Sequence, residues 1–247
     1  MNELKSPITY FPLSVGDCKL VKAGNSFVLY HNDTQWMCYN PTHHIEAQEV
    51  IIEYSQSHGK CVTTGLGLGI KEVLLASKPE VTEVIVYEKH SDIVEMFYIL
   101  AEKSNIDTSK IKIIIQDADT IAGTDSDCLF LDHFEHEDRT EIINRVRAIA
   151  QRNETKFLWF WPLSEIYARW TFMQSKEINN DTFAEWSASI NIPNLPITLS
   201  DSNLASLSEL KNKYMDLRHP AVYPAGNRHA TLTHFKKFKF GQDRKST

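Results

Sequence analysis

The sequence predicts a doubly wound α/β fold with a mainly parallel sheet, and three observations predict it. From residue 60 to residue 161, short apolar strand-like runs alternate with helical periodicities, the pattern that builds a parallel sheet through right-handed crossovers. A glycine-rich loop, TGLGLG at 64–69, joins the first of those strands to the first helix. An acid, Glu88, closes the next strand about twenty residues later, as in nucleotide-binding βαβ units.

Residues 8–40 open the chain with short apolar and aromatic alternations, ITYFPL, KLVKA, SFVLYH and QWMCYN. Val15-Gly16-Asp17, Gly24-Asn25 and Asn32-Asp33 break them, so they read as a small antiparallel β unit. Over 41–57, Ile45, Val50, Ile51 and Tyr54 suit an amphipathic helix leading into the sheet. The parallel unit then runs as strand Cys61 to Thr64, helix Ile70 to Ala76, strand Val84 to Tyr87, helix Ile93 to Ala101 and strand Ile111 to Ile115. Strand Cys128 to Leu131, helix Arg139 to Ala150 and an apolar fifth strand, Phe157 to Trp161, complete it. Further on, 163–175 and 203–217 read as helices, while Pro193 and Pro196 punctuate β-prone pieces over 190–199. The division expected is a β-hairpin unit over 1–40, a ligand-binding α/β domain over 41–175 and a C-terminal extension over 176–247.

A chain of 247 residues, 42% hydrophobic and 23% charged, is long enough to bury one large core with an appendage. Its formal net charge of −6 gives no general attraction for nucleic acid. Only the tail FKKFKFGQDRKST, basic and interleaved with aromatics, leaves a nucleic-acid contact open, beside the reading as a solvated terminus. Neither a signal peptide nor a run of about twenty apolar residues is present, so a cytoplasmic protein without a membrane partner is expected. Cys18, Cys38, Cys61 and Cys128 show no CxxC pairing and read as neither a metal cluster nor a disulfide framework.

In an open parallel sheet the ligand lies beyond the carboxyl ends of the strands, so the residues that follow each strand carry the information. After the first come Thr64, Gly65, Leu66 and Gly67, whose backbone can approach a ligand closely, with Gly69 at the helix start. Ile70 stands where a dinucleotide fingerprint continues toward a further glycine, which favours a nucleoside without pyrophosphate. Glu88 ends the second strand and can accept the hydroxyls of a ribose. Gln116-Asp117-Ala118 follows the third, offering a carboxylate to an exocyclic amine and a small residue beside a flat base. Asp132-His133-Phe134-Glu135 follows the fourth.

These motifs, in this order, resemble the cofactor motifs of class I S-adenosylmethionine-dependent methyltransferases, and within them the spermidine-synthase-like branch. The resemblance covers roughly residues 40–160. It implies a Rossmann-like domain with S-adenosylmethionine as cofactor. Gly65, Gly67 and Gly69 would hold its methionine part and ribose, Glu88 the ribose hydroxyls, and Asp117 with Ala118 the adenine; Thr64, Leu66, Lys89 and Asp132 complete the cofactor contacts. Asp132 and His133 are the candidate catalytic groups, placed to take a proton from an acceptor. Trp159, Trp161 and Tyr167 either wall the acceptor pocket or belong to the core.

Three departures shape the function. Thr63 stands where many methyltransferases carry an acid. DHFE replaces the DxxDP motif of spermidine synthases, with Glu135 as its second acid and no proline, which argues against a polyamine. CLFLDHFEHED resembles the metal-binding segment of catechol O-methyltransferase, yet Phe160-Trp161-Pro162 occupies the place of the other ligands, so no metal is expected. His133 and His136 lie three apart, a spacing open to a divalent ion, but HED before a helix reads as a solvated helix start. The expectation is therefore a methyltransferase acting on an unidentified small-molecule or macromolecular acceptor. An aminopropyltransferase and a non-catalytic adenosyl-cofactor-binding protein are the alternatives.

Overall fold

The computed structural model describes residues 6–39, 44–134, 138–196 and 198–217. The basic tail and Glu135, His136 and Glu137 lie outside them, and with them the nucleic-acid and paired-histidine readings. Four strands, β1 (Leu13–Val15), β2 (Cys18–Ala23), β3 (Ser26–His31) and β4 (Thr34–Tyr39), form an antiparallel meander. Its register explains the turn residues: Ala23 pairs with Ser26 and His31 with Thr34, leaving two-residue loops. Asn32 and Asp33 both take positive φ, the backbone that tight hairpins between twisted strands require.

Helix α1 (His44–Gln56) leads to β5 (Gly59–Thr64), α2 (Ile70–Ser77), β6 (Val81–Glu88), α3 (Ser91–Lys103) and β7 (Ile111–Ile115). The chain then passes a single 3-10 turn, Ala118–Thr120, and crosses to β8 (Asp125–Leu131), α4 (Arg139–Ala150) and β9 (Glu154–Phe160). All five strands pair in parallel, in the order β7-β6-β5-β8-β9. Counted along the chain this is 3-2-1-4-5, the doubly wound order, with the direction of winding reversing between β5 and β8. The sequence-level fold class is the one observed, small N-terminal sheet included. Position in the sheet accounts for composition. Cys61–Thr64 of β5 and Cys128–Leu131 of β8, covered on both faces, have no exposure, whereas Ile115 on edge strand β7 is 59% exposed.

The face of α1 differs from the apolar stripe read in the sequence. Among its described side chains, over 49–56, the buried ones are Glu49, Ile52 and Glu53, while Val50, Ile51 and Tyr54 are only half-buried and Ile45 lies outside them. Hydrophobicity alone assigns the wrong side because the two glutamates find polar partners inside the protein.

Beyond β9 come α5 (Leu163–Met173), α6 (Asn180–Ile190) and α7 (Asp201–Leu217). The sequence reading assigned no element to α6, although Asn179 caps it in a reciprocal capping box with Thr182. Phe183 and Trp186 on α6 join the same core as β8, β9 and α5. The β-prone pieces at 190–199 form no strand among the described residues. Proline removes ladder donors there, and Ile192, Leu195 and Leu199 pack into the core from irregular backbone instead. Asn194 covers the open edge of β9, its carbonyl accepting from Leu158 N–H at 3.0 Å. Among the described residues no helix is long and apolar enough to cross a membrane.

Candidate functional site

A cavity of about 770 Å³ opens at the carboxyl ends of β5, β6 and β8, against the point where the winding reverses. That volume falls within the roughly 300–1,000 Å³ of small-molecule sites. Strand β4 forms one wall, from Thr34 to Tyr39, and α1 contributes Glu49 and Glu53 to another. The N-terminal sheet thus roofs a site that the parallel sheet floors.

The glycine loop is shaped by close approach of backbone to backbone. Gly65 has φ +72°, and a Cβ there would lie 2.0 Å from the Asp132 carbonyl oxygen. Gly69 has φ +71°, and its Cβ would strike the Phe97 ring at 2.3 Å. Only glycine allows β5 to pass β8 and α2 to start against α3 in this way. Glu88 locks the loop from the neighbouring strand: its carboxylate accepts from Leu66 N–H at 2.8 Å and from His90 N–H at 2.9 Å. The group is 4% exposed and lines the cavity. Beside it Lys89 is exposed, its ammonium 5.3 Å from the centre of the Trp36 ring.

Asp117 is exposed and caps the 3-10 turn, accepting from Asp119 N–H at 2.9 Å, while Ala118 behind it is buried. Thr64, Asp132 and His133 meet at the ends of β5 and β8. Asp132 N–H donates to Thr64 Oγ1 at 2.9 Å, and that hydroxyl lies 2.7 Å from His133 Nδ1. On the far side, His133 Nε2 lies 3.3 Å from Asp119 Oδ1, and Arg145 grips the same carboxylate through Nε and a terminal nitrogen at 3.1 and 2.7 Å. The tautomer that satisfies every partner carries its proton on Nε2 and accepts from Thr64 at Nδ1. Burial, opposed by Asp119, holds the imidazole below its usual pKa, so it is neutral near pH 7. His133 is therefore no solvated residue, as its helix-start setting suggested: its side chain is 10% exposed and both ring nitrogens are engaged.

The remaining wall is acidic and does not show in the motifs of the sequence. Lys71, in the first turn of α2, reaches Asp132 at 3.2 Å and Glu53 at 3.9 Å. Burial works against its charge, but Asp132, Glu53 and Glu72 outweigh it and push the ammonium up. Burial pushes Glu53 up to about 8 and Glu72 to about 7, with Lys71 opposing in both cases. Glu49 is also raised to about 7 by burial, against hydrogen bonds from Trp159 Nε1 at 2.6 Å and Ser164 N–H at 2.9 Å. Asp132, its side chain 44% exposed, is the member open to solvent. The signals were there: Glu49 and Glu53 stand four apart on one helical face, and Lys71 comes two residues after the glycine loop. Of the three aromatics proposed as wall or core, Trp159 and Tyr167 are fully buried and Trp161 lines the cavity.

No family model matches the sequence, and no curated protein matches it. Among solved structures the chain is similar to a probable spermidine synthase from Corynebacterium glutamicum ATCC 13032, at 12% identity and TM-score 0.41 over 59% of this chain and 60% of that one. It is similar to spermidine synthase from Thermotoga maritima at 11% identity and TM-score 0.46, over 60% of this chain and 54% of that one. A third is phosphoethanolamine N-methyltransferase 1 of Haemonchus contortus, in complex with phosphoethanolamine and S-adenosylhomocysteine, at 17% identity and TM-score 0.36 over 47% and 25%. The matched segment thus spans less than two thirds of each of these structures. All three overlaps fall below a TM-score of 0.5, so the fold assignment rests on the strand order and winding of the sheet itself.

Proposed function

We propose that the cavity binds an adenosyl sulfonium cofactor of the S-adenosylmethionine type and that the chain is a methyltransferase. One observation carries this reading: a buried carboxylate, Glu88, faces the cavity one strand away from a glycine loop, on the side where a doubly wound sheet takes its ligand. The residues present fit the cofactor. Glu88 retains acceptor capacity beyond its two backbone donors for ribose hydroxyls. Asp117 and buried Ala118 border the cavity where adenine would lie, and Gly65 and Gly67 line it where the methionine part would lie. When bound, such a cofactor supplies an electrophilic carbon on sulfur.

The protein's own contribution is placement and one proton. Asp132 presents its carboxylate to the cavity, held by Lys71, and takes the proton of an amine or hydroxyl acceptor. His133, engaged on both nitrogens, fixes the backbone and hydroxyl at the junction of β5 and β8. Asp132→Asn is expected to lower turnover at least tenfold while changing cofactor affinity less than threefold, roughly the gap between losing a general base and losing a rim contact. Equal losses in both quantities would remove Asp132 from the chemistry.

The acidic wall favours a second reading, an aminopropyltransferase. Glu49, Glu53, Glu72 and Asp132 outnumber Lys71 there, and an ammonium entering the cavity would favour release of the glutamates' protons, so the wall suits a cationic acceptor. Assays with methyl-labelled S-adenosylmethionine and aminopropyl-labelled decarboxylated cofactor, each over a panel of amines, separate the two. Label transferred only from the first supports methyl transfer, and only from the second the alternative.

A further inference from the structure

We infer that the N-terminal sheet is clamped to the parallel sheet by a zinc-class divalent ion, held by Cys18, His31 and Asp92, with His90 turning in from beside them as the fourth ligand. This site lies outside the cavity, and the inference does not depend on the reading of the cofactor.

Cys18 begins β2 and His31 ends β3, and the two are directly opposed in the antiparallel register. Asp92 projects from the first turn of α3 against them. Donor atoms of these three residues all lie within 4.8 Å of one another, with His31 Nε2 3.5 Å from Asp92 Oδ2. Zinc bonds of about 2.0–2.3 Å set tetrahedral donor–donor edges of about 3.3–3.8 Å, so the histidine–aspartate edge already fits and the thiol needs only a small approach. Thiolate and imidazole together select zinc over magnesium or calcium. One thiolate and one carboxylate also balance the charge of a divalent ion, which suits a site where Cys18 is fully buried.

A second observation is independent of that geometry. The ring of His90 lies against His31 with centroids 4.1 Å apart and planes tilted by 46°, outside the group of three donors, and its Nε2 is buried with no hydrogen-bond partner. Without a metal, Asp92 explains the other two residues as a simple tether, accepting from the thiol and the imidazole; it leaves the His90 nitrogen unexplained. Part of the outer shell is already built. Asp17 N–H and Ile93 N–H donate to the Asp92 carboxylate at 3.2 and 3.0 Å. The Asn32 amide nitrogen sits 3.4 Å from His31 Nδ1, and coordination through Nε2 requires that amide to turn its oxygen toward the ring. The clamp also reaches the cavity, because His90 N–H holds the Glu88 carboxylate.

The test uses the full chain, stripped with a chelator and titrated with cobalt(II) and then zinc. One equivalent of cobalt is expected to give a thiolate-to-metal charge-transfer band and tetrahedral visible absorption, both displaced by zinc, and zinc is expected to raise the unfolding temperature. Cys18→Ser should abolish the charge-transfer band. His31→Gln and His90→Gln, checked for native circular dichroism, should each weaken binding at least about tenfold. A folded wild-type chain without a thiolate band, or a band and affinity unchanged in Cys18→Ser and in both histidine variants, would overturn the site.

Discussion

Glu88 holds two backbone amides and faces the cavity at once, so its substitutions divide loop building from ligand binding. Glu88→Gln keeps the shape and one carbonyl acceptor but puts a donor against a donor, and unfolding in urea should show a loss of about 1–3 kcal/mol. His133 sits between Thr64 and Asp119, its side chain mostly buried at the edge of the cavity. Its replacement by alanine should destabilise the fold on the same scale, about 1–3 kcal/mol, because Asp119 and Thr64 then lose a buried partner. Asp132→Asn, at a half-exposed position, should cost less stability than His133→Ala when the two are measured side by side. At this scale the sequence disclosed the placement of Glu88, Asp117 and Asp132, since a residue at or just beyond the carboxyl end of a parallel strand must lie at the open end of the sheet. It concealed Asp119, Lys71 and Glu49, whose partners come from distant parts of the chain.

Element boundaries were legible wherever turn chemistry and period coincided. The glycine loop is the clearest case, and it makes a sharp prediction. Gly65→Ala places a methyl group 2.0 Å from the Asp132 carbonyl, which is backbone and cannot turn aside, at a φ that alanine disfavours. We expect about 2–4 kcal/mol of destabilisation by denaturant unfolding, the combined scale of backbone strain and overpacking. Helix α6 was missed for the opposite reason. Its cap, Asn179, and its buried pair, Phe183 and Trp186, are short-range signals within a segment whose neighbours carry two prolines. In α1 the periodicity was visible but its buried face was not, because Glu49 and Glu53 are inside only by virtue of Trp159, Ser164 and Lys71.

Over the whole molecule the doubly wound order could be read from the alternation of strands and helices. The acidic wall could not, since it assembles α1, α2 and the end of β8. It gives the protein a pH signature. Glu53, Glu49 and Glu72 hold protons up to about 8, 7 and 7 when folded, whereas the unfolded chain releases them near 4.5. The folded state therefore binds more protons between those limits, and stability falls as pH rises through them. From pH 6.5 to 8 the slope should be about 1–3 kcal/mol per pH unit, steepest at the acid end, and Glu53→Gln should flatten it. A stability that stays flat over that window, and is unchanged by Glu53→Gln, would show the wall to be fully ionised in the folded state.

The central claim is that the cavity is an adenosyl site, and calorimetric titration with S-adenosylhomocysteine tests it most directly. The account predicts one site on the wild-type chain, weakened by about 1–3 kcal/mol, roughly five- to 150-fold, in Glu88→Gln. Equal affinity in the two proteins, or tight binding of NAD with none of S-adenosylhomocysteine, would contradict it.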